Sequence, residues 1–139
     1  MNILFKEEPI LETVRFSVQQ DREVPIPGFF ILSSMRNIRS IDELSEHELD
    51  EFIRILAKVR RGMKTVLHIH DVYFFQNEDT RHNFHFRMFP RYERMEQFWR
   101  KIESVRPIMQ RAIAHMNDDE TIKQVKDDVQ KMRAFFEKL

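Results

Sequence analysis

The run Thr80-Arg81-His82-Asn83-Phe84-His85-Phe86-Arg87-Met88-Phe89-Pro90-Arg91-Tyr92 alternates polar with aromatic or apolar side chains and closes on a proline. Alternation at period two is the pattern of a strand with one buried face. It sends Phe84, Phe86 and Met88 to a core, and Asn83, His85 and Arg87 together to the opposite face. An imidazole can act as a nucleophile near neutral pH, and a guanidinium beside it offers a planar fork of donors to phosphate oxygens. The pattern points to phosphate chemistry at His85. The plainer alternative is that His85 and Arg87 are the solvated side of an amphipathic strand.

Other candidate chemistries are thinner. His68-Ile69-His70, read as a strand, puts two imidazoles on one face, which could begin a zinc or nickel site. No third ligand follows from the spacing, so no metal is assigned and no cofactor is expected. His47 and His115 fall on helix surfaces. No Gly-x-Ser-x-Gly nucleophile elbow occurs. With Gly28 and Gly62 as the two glycines of the chain, a glycine-rich phosphate loop and a dinucleotide fingerprint are excluded.

The elements that must position His85 follow from periodicity. Thr13 to Gln20 places Val14, Phe16 and Val18 on one side of a strand, and Asp21 to Pro27 supplies turn chemistry. Gly28-Phe29-Phe30-Ile31-Leu32 reads as a second, buried strand. Ser45 and Glu48 form a capping box ahead of Leu49, Phe52, Ile53, Leu56, Val59, Met63 and Val66, which recur at helical spacing. The basic residues late in that helix complement its dipole and need no nucleic acid. Asp71 to Gln76 is a third strand, joined through Asn77-Glu78-Asp79 to the His85 strand as an antiparallel hairpin. Met95, Phe98, Trp99 and Ile102 make an apolar stripe interrupted near Pro107, with Met109, Ala112, Ile113 and Met116 beyond it. A last helix begins at Asp118-Asp119-Glu120 and repeats Ile122, Val125, Val129, Met132 and Phe136.

Composition bounds the function. A chain of 139 residues fits a single domain, 1–139, with a core over about 13–92 and C-terminal helices over about 93–139. Lys plus Arg and Asp plus Glu both total 23, so no global field draws in nucleic acid or an anionic membrane, and phosphate recognition must be local. Zero cysteines exclude disulfides and thiolate chemistry. The N-terminus meets acidic residues too soon for a secretory apolar region, and no apolar run could span a bilayer, which makes the cytoplasm the expected location.

The segment from Asn83 to Arg91 resembles the histidine-triad (HIT) motif His-φ-His-φ-His-φ-φ-Pro-Arg, where φ is apolar. On that motif the first histidine falls at Asn83, the middle one at His85 and the third at Arg87, while Pro90 and Arg91 match the close. The resemblance covers roughly residues 13 to 92, and the Phe-Pro-Arg-Tyr tail with Met95 and Phe98 looks most like a diadenosine tetraphosphate hydrolase-like branch. It implies an α+β fold: a HIT-like antiparallel sheet with flanking helices, here with a C-terminal helical extension, paired as a homodimer. Pro27-Gly28-Phe29 looks like the family's Pro-Gly-His, with phenylalanine in the histidine's place.

For function, the resemblance implies a nucleotide phosphohydrolase or nucleotidyl transferase. Its substrate would be a dinucleoside polyphosphate or nucleoside phosphoramidate, attacked at the α-phosphorus by His85. Arg87 stands at a position that varies in the superfamily, and Thr80 looks like the family's serine near the leaving group. Asp21 falls where the family has an acid that hydrogen-bonds the ribose. Asn77 looks like its asparagine near the phosphate, and Asn37 stands where another phosphate-side histidine is common. Proton delivery to the leaving group would rest on Thr80 or His82. The alternative is a catalytically impaired nucleotide-binding or scaffold protein that keeps the HIT shell, since Asn83 and Arg87 replace two of the three histidines.

Overall fold

The structure is a computed structural model that describes residues 3–80, 83–95 and 97–138. Five strands form one antiparallel sheet: β1 (Pro9–Glu12), β2 (Phe16–Gln20), β3 (Phe30–Ser34), β4 (Val72–Phe75) and β5 (His85–Pro90), in the order β1-β2-β3-β5-β4. The α+β architecture with its C-terminal helical extension agrees with the sequence reading. The first two strands correct its details. Sequence periodicity placed Val14 on the buried side of a strand from Thr13, yet Val14 is 93% exposed. The Thr13 hydroxyl accepts the N–H groups of Arg15 and Phe16, so a tight turn joins β1 to β2 and β2 starts at Phe16. β1 itself was not anticipated, because Pro9-Ile10-Leu11-Glu12 is too short to show a period.

Strand alternation gives the sheet two apolar faces. On one, Phe16, Val18, Phe30, Leu32 and Met88 pack against helix α1 (Glu46–Thr65) and helix α3 (Asp119–Glu137). The expected capping box is present: the Ser45 side chain accepts from Glu48 N–H, and Glu48 accepts from Ser45 N–H. The Arg36 guanidinium, 2.9 Å from Glu48, and the Ser45 N–H hold the Glu48 carboxyl down at about 2. The buried stripe of α1 is Phe52, Ile55, Val59 and Met63, whereas Ile53 is 59% exposed, so the helix is rotated relative to the reading from Leu49 and Ile53.

On the second face, helix α2 (Val105–His115) buries Val105, Ile108 and Ala112 against Val24, Ile26, Phe29 and Phe89. Phe29 is fully buried and meets Phe89 edge-on, centroids 5.1 Å apart. Pro107 lies in the first turn of α2, where a missing N–H costs least. The stripe expected from Met95 to Ile102 is not one helix. Two short 3₁₀ turns, Glu93–Met95 and Ile102–Ser104, replace it, and Trp99 and Ile102 are exposed. Buried Arg91 accounts for this path, donating to the carbonyls of Tyr92, Met95, Phe98 and Trp99. Among the described residues no helix is long and apolar enough to cross a membrane.

Candidate functional site

α2 covers one part of the second face and leaves the rest open. There β5 presents His85 and Arg87 on the same side, opposite buried Met88. Antiparallel register sets Ser33 beside His85 and Ile31 beside Arg87, and Ser17 and Gln19 follow on β2. The result is a cavity of about 610 Å³ lined by Asp21, Asn83, His85 and Arg87, with Gln19 and Ser33 as further polar walls. That volume lies within the range of small-molecule sites. Ile31, Val24, Met109 and Ile113 supply its apolar side.

Asp21, just beyond β2, is buried. Its Oδ1 accepts the N–H groups of Glu23 and Val24, each at 2.9 Å, which folds the loop back on itself. Its Oδ2 accepts from Arg87 Nη1 at 3.1 Å. Arg87 is thereby held over the sheet, and because a guanidinium carries five N–H donors, others are left for a bound anion. The Nδ1 of His85 is buried.

The loop that carries Asp21 returns to β3 through Pro27 and Gly28. Gly28 has a φ of +84°, and a Cβ there would lie 2.7 Å from Ile69 Cδ1 and 3.1 Å from the Tyr92 hydroxyl. Glycine is required on both counts. Tyr92 donates its hydroxyl hydrogen to Pro27 O in a short hydrogen bond, and burial pushes the phenol pKa up.

Solved structures share this arrangement of elements. A zinc-bound histidine triad family protein from Mycobacterium smegmatis matches with a TM-score of 0.64 over 94% of this chain and 84% of that one, at 12% identity. A HIT-like protein involved in cell-cycle regulation from Bartonella henselae gives 0.61 over 97% and 88%, at 14% identity. A diadenosine triphosphate hydrolase from Plasmodium falciparum gives 0.61 over 99% and 84%, also at 14% identity. The fold is that of the histidine-triad proteins. No family model matches the chain, and no curated protein matches it significantly. The likeness is one of fold, so residue roles rest on the geometry of this chain.

On this histidine-triad fold the residues expected at the site divide. Asp21, Asn83, His85 and Arg87 share the cavity. Asn77 lies in a neighbouring cavity that also touches Arg87. Thr80 and Asn37 are exposed and are not among the residues that line either cavity. His82 lies outside the described residues. Sequence reasoning missed Gln19 and Ser33, whose alternation in β2 and β3 signals this face once the register is known. The strand expected at His68-Ile69-His70 is absent: Ile69 is buried in a loop where His68 has a φ of +57°. Among the described residues no group of three or more His, Cys, Asp or Glu is placed to hold a metal ion.

Proposed function

We propose that this chain is a nucleotide phosphohydrolase or nucleotidyl transferase whose nucleophile is His85. The observation that carries the reading is that His85, Arg87, Asp21 and Asn83 open into one cavity on the free face of a histidine-triad sheet. His85 Nε2 attacks the α-phosphorus of a bound nucleotide. A P–N bond forms, the bond from phosphorus to the leaving group breaks, and the leaving group takes the electron pair. Water then attacks phosphorus, the P–N bond breaks, and a nucleoside monophosphate and a proton are released; in a transferase a phosphate acceptor replaces the water. Arg87 stabilises charge on the equatorial oxygens, and Asp21 positions Arg87.

The test is release of nucleoside monophosphate from diadenosine tetraphosphate and from an adenosine phosphoramidate, comparing wild type with His85→Ala. Turnover lost in the variant is expected; full turnover by His85→Ala would sink the mechanism. A second reading, nucleotide binding without turnover, is favoured by Asn83 and Arg87 at two of the three triad positions. It predicts that wild type binds nucleotide and releases no monophosphate.

We also propose that the chain is a single domain that acts in the cytoplasm as a homodimer through β4. One edge of the sheet, β1, is closed by α3, whose Arg133 donates to Pro9 O and pairs with Glu8. β4 is the other edge, with Phe74 43% exposed, and two antiparallel copies of it can pair. Sedimentation of wild type and of Phe74→Lys tests the dimer, which the charge should dissociate.

A further inference from the structure

A separate cavity, of about 320 Å³, is lined by residues that follow α1, residues that follow β5 and residues of α3, and it shares no wall residue with the His85 cavity. Asp128 stands in its wall. It belongs to the buried stripe of α3 with Val125, Val129 and Met132 and is 6% exposed, a place where an apolar side chain would desolvate no charge. Its Oδ1 accepts from Gln124 at 2.8 Å and lies 4.0 Å from Lys131 Nζ, while among the described residues its Oδ2 has no hydrogen-bond partner. We propose that this cavity binds a free α-amino acid with an apolar side chain, its ammonium on Asp128 and its carboxylate on Arg94 and Lys131.

Charge selects the ligand class. A lone cation would meet Asp128 but also Arg94 and Lys131, and a lone anion would meet those two cations but also the Asp128 carboxylate. A zwitterion sets each of its charges against the opposite one. Arg94 is available for this: its guanidinium lies 4.3 Å from the Tyr92 ring centroid, and among the described residues it makes no ion pair. Nearby acids leave the balance unchanged, since Asp127 pairs with Lys123 and Glu93 lines an adjoining cavity.

The backbone and the apolar walls agree with this ligand. His68, also in the wall, is held in the left-handed region with a φ of +57°, a strain that gathers at ligand sites where the surrounding structure imposes it. Pro27, Val66, Leu67 and the Tyr92 ring set an apolar side against a few polar groups, the make-up of a small-molecule site. Burial also pushes the Asp128 carboxyl above its ordinary value, and an ammonium beside it would offset the cost of that charge.

Calorimetric titration of L-leucine into the full chain tests the site, beside leucinamide, whose carboxylate is replaced by an amide, and 4-methylpentanoate, which lacks the amine. L-Leucine should bind, and each analogue should bind at least about tenfold more weakly, the loss of one charged hydrogen bond. Asp128→Asn and Arg94→Gln should each weaken L-leucine by about tenfold, with circular dichroism showing that both variants stay folded. 4-Methylpentanoate binding as tightly as L-leucine would reveal a plain anion site, and leucinamide doing so a plain amine site; either overturns the proposal. So would unchanged L-leucine affinity in either variant, or no binding of L-leucine, L-methionine or L-phenylalanine at millimolar concentration.

Discussion

Arg87 Nη1 donates to Asp21 Oδ2 at 3.1 Å, joining the strand that carries His85 to the loop after β2. The pair is largely shielded, with 22% and 8% of the two side chains exposed. Asp21 is in turn anchored by the N–H groups of Glu23 and Val24. The acid expected to meet a ribose is thus also the residue that sets the direction of the site's arginine.

Removing one partner of a shielded pair leaves the other without its counter-charge. Arg87→Met and Asp21→Asn are each expected to cost about 1–3 kcal/mol, and the double variant less than their sum. Urea denaturation of the four proteins measures the coupling. Additive losses would show that the pair contributes no interaction energy.

Gly28→Ala would place a methyl group against Ile69 Cδ1 in backbone with φ of +84°. A loss of about 1–3 kcal/mol is expected, from the left-handed conformation and the contact together. An unchanged urea midpoint would mean that the loop holding Asp21 adjusts freely.

Glu48 governs acid stability at the head of α1. Its folded pKa, about 2, lies below the ordinary 4.5, so its contribution is complete above 4.5 and is lost as pH falls toward 2. Glu48→Gln keeps the acceptor for Ser45 N–H and loses the charge facing Arg36. The variant should be less stable at pH 7 and should lose less than wild type between pH 5 and about 2, as followed by circular dichroism melts.

Asp128 behaves oppositely. Burial on the inner side of α3 pushes its pKa up, against the hydrogen bond from Gln124 at 2.8 Å. A carboxyl whose folded pKa exceeds its unfolded value lowers stability as pH rises through that interval. Asp128→Asn keeps an oxygen for Gln124 and removes the buried charge, so its melting temperature at pH 7 should rise. A lower value would show that the Asp128 charge is favourably paired.

Much of this protein was legible because its patterns are local. The Ser45 and Glu48 capping box, the helical repeat of Val125, Val129 and Met132, and the alternation around His85 each depend on neighbours within a turn or a strand. Where the local pattern misled, side-chain hydrogen bonds to nearby backbone had decided. Val14 alternates correctly with Phe16, but the Thr13 hydroxyl ends the strand before it can use that alternation. Met95 to Ile102 carries helical spacing, but Arg91 draws the carbonyls of that segment to itself.

The sequence by itself determined the sheet-and-helix class and the side of β5 that carries His85 and Arg87, because period-two alternation couples side-chain identity directly to a face. Tertiary structure alone decided which distant residues share that face. Asp21 and Arg87 are 66 positions apart, and their hydrogen bond requires β2, β3 and β5 to lie side by side with α2 displaced from the open part of the sheet. Type and spacing specify which groups project together along one strand; strand order and loop path specify which groups meet across strands, and those depend on the packing of the whole chain.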